Sequence, residues 1–329
     1  MSGSPRRRRP ASDDTVTETM TRPIAILFEH PEWFKPLFAE LERRDVAYDA
    51  IDLARHSFDP GELGTGYSLV VNRMSPSAWT RGHANAIFHT LHYLGCLEEL
   101  EVPTINGELA YRLELSKALQ CSLFARLGVR YPRTRVINHS DQARAAAEGM
   151  VFPVLVKPNV GGSGAGIRAF AHPDELEQAE LDLGLDSTAL VQEQLTADGG
   201  FIVRIEILNG EFLYAIRILL VPDSFNLCPA DYCELPGIAD GVSGRGLPVE
   251  AFEPPEDVVE DARRIVAAAG MDVAGVEYLV NARDGRPTFY DLNALSNFVA
   301  DAPNVVGFDP FEPLVDFIIE RAALPAAIG

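Results

Sequence analysis

The sequence predicts a mixed α/β (α+β) protein in which an open parallel sheet precedes two α+β units, and three observations carry that prediction. From Ile24 to Leu94, short apolar runs alternate with amphipathic helical periods, the order expected of a parallel sheet with crossover helices. Between Val151 and Gln194, strand-like runs flank a glycine-rich segment. After Phe201 come a hairpin pattern, one helical period and two more strand-like runs. Divided where these patterns change, the chain has a tail at 1–22, a first domain at 23–105, a linker helix with a central unit at 106–200 and a last unit at 201–329.

Taken in order, Ile24 to Phe28 is an apolar run ending in Glu29, His30 and Pro31, which reads as a buried parallel strand and its turn. Phe34, Leu37, Phe38 and Leu41 then fall at i, i+3, i+4 and i+7, one apolar helical stripe. Residues 48–53 and 67–72 read as strands and 79–94 as a helix. Ligands of open parallel sheets sit beyond the carboxyl ends of the strands. The loops at 29–32 and 72–77 occupy those ends, so Glu29, His30 and Arg73 are candidate substrate contacts, with solvated loop residues the competing reading for the first two.

A single helix is expected from Glu108 to Leu127, with Leu115, Leu119, Leu123 and Leu127 inward and Gly128 closing it. Strands follow at 136–137, 151–157 and 190–194, with a helix at 173–180 between the last two. Asn209-Gly210 is a two-residue turn signal between strands at 201–208 and 211–220. The period from Asp257 to Ala269, stopped by Gly270, is a helix; 276–281 and 288–293 are strands. The stretch 222–248 is rich in Pro, Gly and Asp and has no period, which suggests either a functional loop lining an acceptor site, through residues such as Asp231, or a surface insertion.

Composition narrows the function. A chain of 329 residues, 47% hydrophobic, with a net charge of -20 is a globular protein whose acidity argues against nucleic acid as the main partner. The one dense basic cluster, Arg6 to Arg9, lies in the tail, which carries no apolar stretch of a secretory signal and is expected to be disordered. No apolar run reaches the ~18 residues of a spanning helix, so no membrane partner is expected. Cys96, Cys121, Cys228 and Cys233 form no CxxC pair, and a reduced cytoplasmic chain is the simplest account. His89 and His92 share a helix face, for which packing is a better account than a metal pair.

The chemistry concentrates in three places. Val154 to Lys157 is a strand ending in a lysine, and Gly161, Gly162, Gly164 and Gly166, with Ser163 among them, follow at once. Glycines let backbone N–H groups turn toward an anion, and Lys157 adds a fixed charge beside it. The lysine precedes the glycines on a strand, so this is not a Walker A loop, and the spacing is not GxGxxG. About 35 residues on, the strand containing Gln192, Glu193, Gln194 and Leu195 turns from apolar to polar, an edge suited to a nucleoside. Last, Asp291 and Asn293 share one face of a strand because side chains alternate, and with Glu277 they offer hard oxygen donors suited to Mg²⁺.

Between residues 106 and 300 this ordered set resembles the ATP-grasp superfamily, and within it the ribosomal-S6-modification-like and glutathione-synthetase-like carboxylate–amine ligases. The resemblance implies an ATP-grasp fold with a pre-ATP-grasp domain and a nucleotide held between two α+β subdomains. It implies that Lys117 and Lys157 contact phosphates, that Gly161 to Gly166 cover them, and that Gln192 to Leu195 form the adenine hinge, with Glu193 on the adenosine. It further implies that Arg204 and Arg217 hold the transferring phosphate and that Glu277, Asp291 and Asn293 bind Mg²⁺, with Mn²⁺ as an alternative ion. Where relatives read Glu-x-Asn-x-Ser-Pro-Gly near the acceptor, this chain has Asp291-Leu292-Asn293-Ala294-Leu295-Ser296-Asn297, so the resemblance implies Ser296 and Asn297 as candidate substrate contacts while the lost Ser-Pro-Gly leaves the substrate open. The implied activity is ATP-dependent amide or peptide bond formation through an acyl phosphate, on small-molecule or peptide carboxylate and amine substrates, in a chain for which a homodimer is compatible. Two further readings share the nucleotide site: a kinase phosphorylating a small molecule, and a nucleotide-binding regulator without turnover.

Overall fold

In the computed structural model residues 22–63, 66–220 and 248–324 are described. Asp231, Cys228, Cys233, the tail to residue 21 and the loop at 221–247 lie outside them.

Three sheets follow one another along the chain. The first contains β1 (Ile24–Phe28), β2 (Tyr48–Asp52), β3 (Leu69–Asn72) and β4 (Thr104–Ile105), all parallel, in the order β2-β1-β3-β4. Helix α1 (Lys35–Arg43) and helix α2 (Ala84–Glu99) cover it, Leu37 and Leu41 packing against Ile24, Ile26 and Leu69. α2 begins five residues later than its periodicity suggests, because Gly82 adopts φ 83 and ends a separate 3₁₀ segment over Pro76–Arg81.

The expected helix at 108–127 is two helices, α3 (Glu108–Leu115) and α4 (Lys117–Leu127). Ser116 breaks them with extended dihedrals, and its hydroxyl caps α4 by accepting the Leu119 N–H at 3.2 Å, the usual role of an N-cap serine. The break rotates the second half. Leu115 and Leu123 remain buried, but Leu119 is 41% exposed, contrary to the single-helix pattern.

β5 (Thr134–Ile137), β6 (Val154–Pro158), β7 (Arg168–Phe170) and β8 (Ala189–Glu193) form the second sheet, antiparallel in the order β5-β8-β6-β7. One face, including Val154, Val156 and Val191, packs on α5 (Ala143–Ala146) and α6 (Pro173–Glu177). The alternate residues, Lys157 and Gln192, therefore share the other face.

The third sheet runs β11-β10-β9-β12-β13, from β9 (Phe201–Leu208), β10 (Glu211–Leu219), β11 (Val249–Ala251), β12 (Val273–Asn281) and β13 (Arg286–Asn293), all antiparallel. Asn209 and Gly210 have φ 51 and 76, the turn their dipeptide predicts. α4 and α7 (Glu256–Ala268) bury Leu123, Phe124, Ala262 and Ile265 against Val203, Ile205 and Val276 on one face. The short α8 (Ala302–Val305) and α9 (Phe311–Ala323) join the core shared by the first and third sheets. Asn106 ties those sheets together: Nδ2 donates to the carbonyls of Val273 (2.8 Å) and Ala294 (2.7 Å), Oδ1 accepts from Asp272 and Val273 N–H, and its carbonyl accepts from Asn72.

Candidate active site

Register sets the site on the third sheet. Arg204 on β9 lies opposite Glu277 on β12, which lies opposite Asp291 on β13, so the three stand in one row on one face. Asn293, two residues beyond Asp291, shares that face, and its Nδ2 donates to Asp291 Oδ2 at 3.1 Å. Arg204 Nε donates to Glu206 Oε1 at 2.6 Å, Nη1 to Glu277 Oε1 at 2.9 Å and Nη2 to Ser296 Oγ at 3.2 Å. Lys117, the first residue of α4, reaches across to Asp291 Oδ1 at 2.5 Å. Two positioning residues carried no sequence signal. Gln120 holds β13 by donating to the Leu292 carbonyl (2.8 Å) and accepting the Leu292 N–H (3.2 Å), and Asn159 holds the start of α4 by accepting the Ala118 N–H (2.9 Å).

Lys117, Arg204, Glu277, Asp291, Asn293 and Ser296 line one wall of a cleft, and Lys157 with Gly161, Gly162, Ser163 and Gly164 lines the facing wall. The Gly-rich segment closes toward the first domain: a Cβ on Gly162 would lie 2.9 Å from Ser77 Cβ. Gly166 is outside the lining and turns at φ 77 against Pro158. Lys157 is buried and makes no ion pair among the described residues. Burial first, and the neighbouring Lys117 second, pull its ammonium down to about 8. Asp291 is pushed up by burial, but the Lys117 charge and hydrogen bond outweigh this and hold it below its usual value. Glu277 is raised, burial outweighing Arg204. The cleft thus holds an unneutralised cation beside two charge-balanced carboxylates, an arrangement that favours a polyanionic ligand.

Not every predicted residue reaches the cleft. Arg217 lies opposite Val203, on the sheet face turned away from Arg204, and is paired with exposed Glu250. Glu193 faces the core side of the second sheet, its carboxylate accepting the Val151 N–H (2.9 Å) and an ion pair from Arg283 (3.1 Å). Gln192 is buried and donates to Thr134 Oγ1 at 2.7 Å; the backbone N–H of Gln194 is bonded to the Pro153 carbonyl, and Leu195 packs against the core of the first and third sheets. None of these four lines the cleft. Glu29 is gripped by Arg81 (2.5 Å) and His83, so its carboxylate is used within the first domain. His30 stacks on Trp33 at 4.7 Å and lies outside the lining, as does Arg73, which is fully buried and ties the Ser296 carbonyl to the first sheet. Ser296 and Asn297 do line the cleft, Ser296 as a strut under Arg204 and Asn297 with a buried Oδ1 that has no partner among the described residues. Trp33, Tyr290 and Glu114 line it as well and were not expected.

Fold and cleft have the ATP-grasp arrangement, and comparison with known proteins finds the same fold. Residues 115–220 match the RimK-like ATP-grasp domain family. The chain is 29% identical over 277 residues to a D-alanine–D-alanine ligase of Geobacter sulfurreducens, covering 79% of this chain and 85% of that protein. Among solved structures it superposes on the ATP-grasp ligase PsnB complexed with minimal precursor (TM-score 0.64, 20% identity, 91% of this chain and 99% of that one). D-cycloserine synthetase DcsG gives TM-score 0.65 at 19% identity, covering 91% and 99%. A D-alanine–D-alanine ligase of Bacillus anthracis gives 0.63 at 15%, covering 92% and 97%. The homologues are named ligases, and no described helix is long and apolar enough to cross a membrane.

Proposed function

We propose that the protein is an ATP-dependent carboxylate–amine ligase that joins a small-molecule or peptide carboxylate to an amine through an acyl phosphate, releasing ADP and phosphate. The observation that supports this best is the facing of Lys157 and its Gly-rich lid, across one cleft, with the Arg204, Glu277 and Asp291 row. Phosphoryl transfer asks a protein chiefly to position reactants and neutralise phosphate oxygens, and these residues do both. Lys157 and Lys117 attract the phosphates, Arg204 stabilises charge developing on the transferred group, and the lid excludes water from the activated acid.

The donor set fits magnesium. Glu277, Asp291 and Asn293, two carboxylates and an amide, are oxygen donors on one face of adjacent strands, while among the described residues no three His, Cys, Asp or Glu side chains gather as a metal group. They would hold Mg²⁺, which on binding supplies charge neutralisation at the phosphates. Lys117, bonded to Asp291 at 2.5 Å, would be free to meet the phosphates if that carboxylate were taken up by the metal.

The test is ADP and phosphate formation from Mg-ATP against amino acids and dipeptides, singly and in pairs, with Lys157→Ala as the blank. Turnover that needs a pair, with a product lighter than the pair by one water, is the expected result. A phosphorylated product from a single substrate would indicate a kinase instead.

A further inference from the structure

One carboxyl group in the cleft forms no salt bridge among the described residues. Glu114, on the last turn of α3, is 6% exposed and lines the cleft, and its carboxylate accepts the Leu295 N–H at 3.0 Å. The other two acids of the lining are paired, Asp291 with Lys117 and Glu277 with Arg204, while Glu114 forms no ion pair among the described residues. An amine substrate arrives as an ammonium ion. It is repelled by Lys117, Lys157 and Arg204, whereas Glu114, on which Arg73 and Lys117 act from beyond ion-pair distance, has no salt-bridge partner among the described residues and is open to it once ionised. It must also lose a proton before its nitrogen can attack. Resting on the ligase reading above, we infer that Glu114 receives the ammonium of the amine substrate and takes its proton in the amide-forming step.

The step balances. Glu114 carboxylate takes one proton from the ammonium; the freed lone pair attacks the acyl phosphate carbonyl carbon, the C–N bond forms and the C–O bond to phosphate breaks. A second N–H proton leaves with the departing phosphate as hydrogen phosphate, giving a neutral amide and a protonated Glu114. The groups facing Glu114 suit this. Burial raises it to about 8, against the opposing pull of the Leu295 N–H, Arg73 and Lys117, with Asp291 adding to the rise. Tyr111, on the same helix, is buried and itself raised, so it does not compete for the proton. A base near 8 is far better matched to an ammonium than an ordinary carboxylate, because proton transfer is most effective between groups of similar pKa.

Hydroxylamine separates this role from a structural one, since it is unprotonated at neutral pH and captures an acyl phosphate without a protein base. With Mg-ATP and each carboxylate of a panel of D- and L-amino acids and dipeptides, Glu114→Gln should form hydroxamate within about threefold of wild type. Amide formation with a primary amine should fall roughly 10²-fold or more. The glutamine keeps an acceptor for Leu295, so an unchanged melting temperature is expected, and Glu114→Asp should recover part of the amide rate. The wild-type amide rate should rise with pH through about 8, and that rise should vanish in Glu114→Gln. Equal loss of hydroxamate and amide, or an amide rate that the glutamine leaves intact, would overturn the inference. No hydroxamate from wild type on any carboxylate would instead refute the ligase reading and the inference with it.

Discussion

Gly275 and Arg204 compete for the same space: a Cβ on Gly275 would lie 2.5 Å from Arg204 Cζ and 2.7 Å from its Nε. Gly275 sits opposite Glu206 on the neighbouring strand, and the guanidinium crosses over it to reach both Glu206 and Glu277. The bare backbone at 275 is what lets a buried arginine lie flat on the sheet. Gly275→Ala should therefore displace Arg204 and strand two buried carboxylates, a loss of about 3–5 kcal/mol, with turnover falling on the order of 10²-fold or more. Thermal melts and ADP release would check this, and a variant with normal stability and turnover would mean that the guanidinium has another seat.

Nucleotide affinity should depend on the charge of Lys157. Its folded value of about 8 is below that of an unfolded lysine, so the ammonium is present below that pH and is lost as pH rises through it. ATP binding should hold steady below about pH 7 and weaken above pH 8, with proton uptake on binding near the midpoint. Calorimetry in two buffers of different ionisation enthalpy reads that uptake, and Lys157→Met should abolish it.

The lid seats on the first domain through Gly162 and Ser77. Gly162→Ala adds a methyl where only 2.9 Å is available to Ser77 Cβ, so the lid should close incompletely and admit water. More phosphate should be released per amide formed, by roughly a few fold. A phosphate-to-product ratio identical to wild type would remove the seat from the mechanism.

Asn106 bonds two carbonyls and two N–H groups at the start of β12 and just past the end of β13 through its side chain alone. Its removal in Asn106→Ala leaves these groups unpaired and should cost about 2–4 kcal/mol in urea denaturation. Since Ala294 precedes Leu295, the loop that anchors Glu114 should loosen too, lowering turnover in the fraction that remains folded.

Arg217→Ala, by contrast, removes only an exposed pair with Glu250. Stability should change by less than about 1 kcal/mol and turnover should be unaffected. A large loss of turnover would mean that the sheet rearranges when nucleotide binds.

Most of the elements were legible because their rules are local. Apolar period, the Asn209-Gly210 turn and the stop signals at Gly128 and Gly270 act within a few residues, and the structure follows them. The helix at 108–127 misled because Leu115, Leu119 and Leu123 keep one spacing across Ser116; a hydroxyl able to cap outweighed the stripe. Trp33, Tyr290 and Glu114 were missed at the site because residues of these types fill most cores and helix faces, and nothing adjacent in sequence marks these three.

By itself the sequence determined the chemical inventory: a lysine before a glycine cluster, hard oxygen donors spaced to share a strand face, and two hairpin arginines, Arg204 and Arg217. Alternation along one strand was enough to put Asp291 and Asn293 together. Only the tertiary structure decided that Arg204 faces Glu277 while Arg217 turns away, that Lys117 meets Asp291, and that Glu114 stands in the cleft with no salt bridge among the described residues. Those relationships join residues some 70 to 180 positions apart, as in the Arg204–Glu277 and Lys117–Asp291 pairs. They depend on strand order and register, which are set by how whole faces pack and not by any period the chain carries locally.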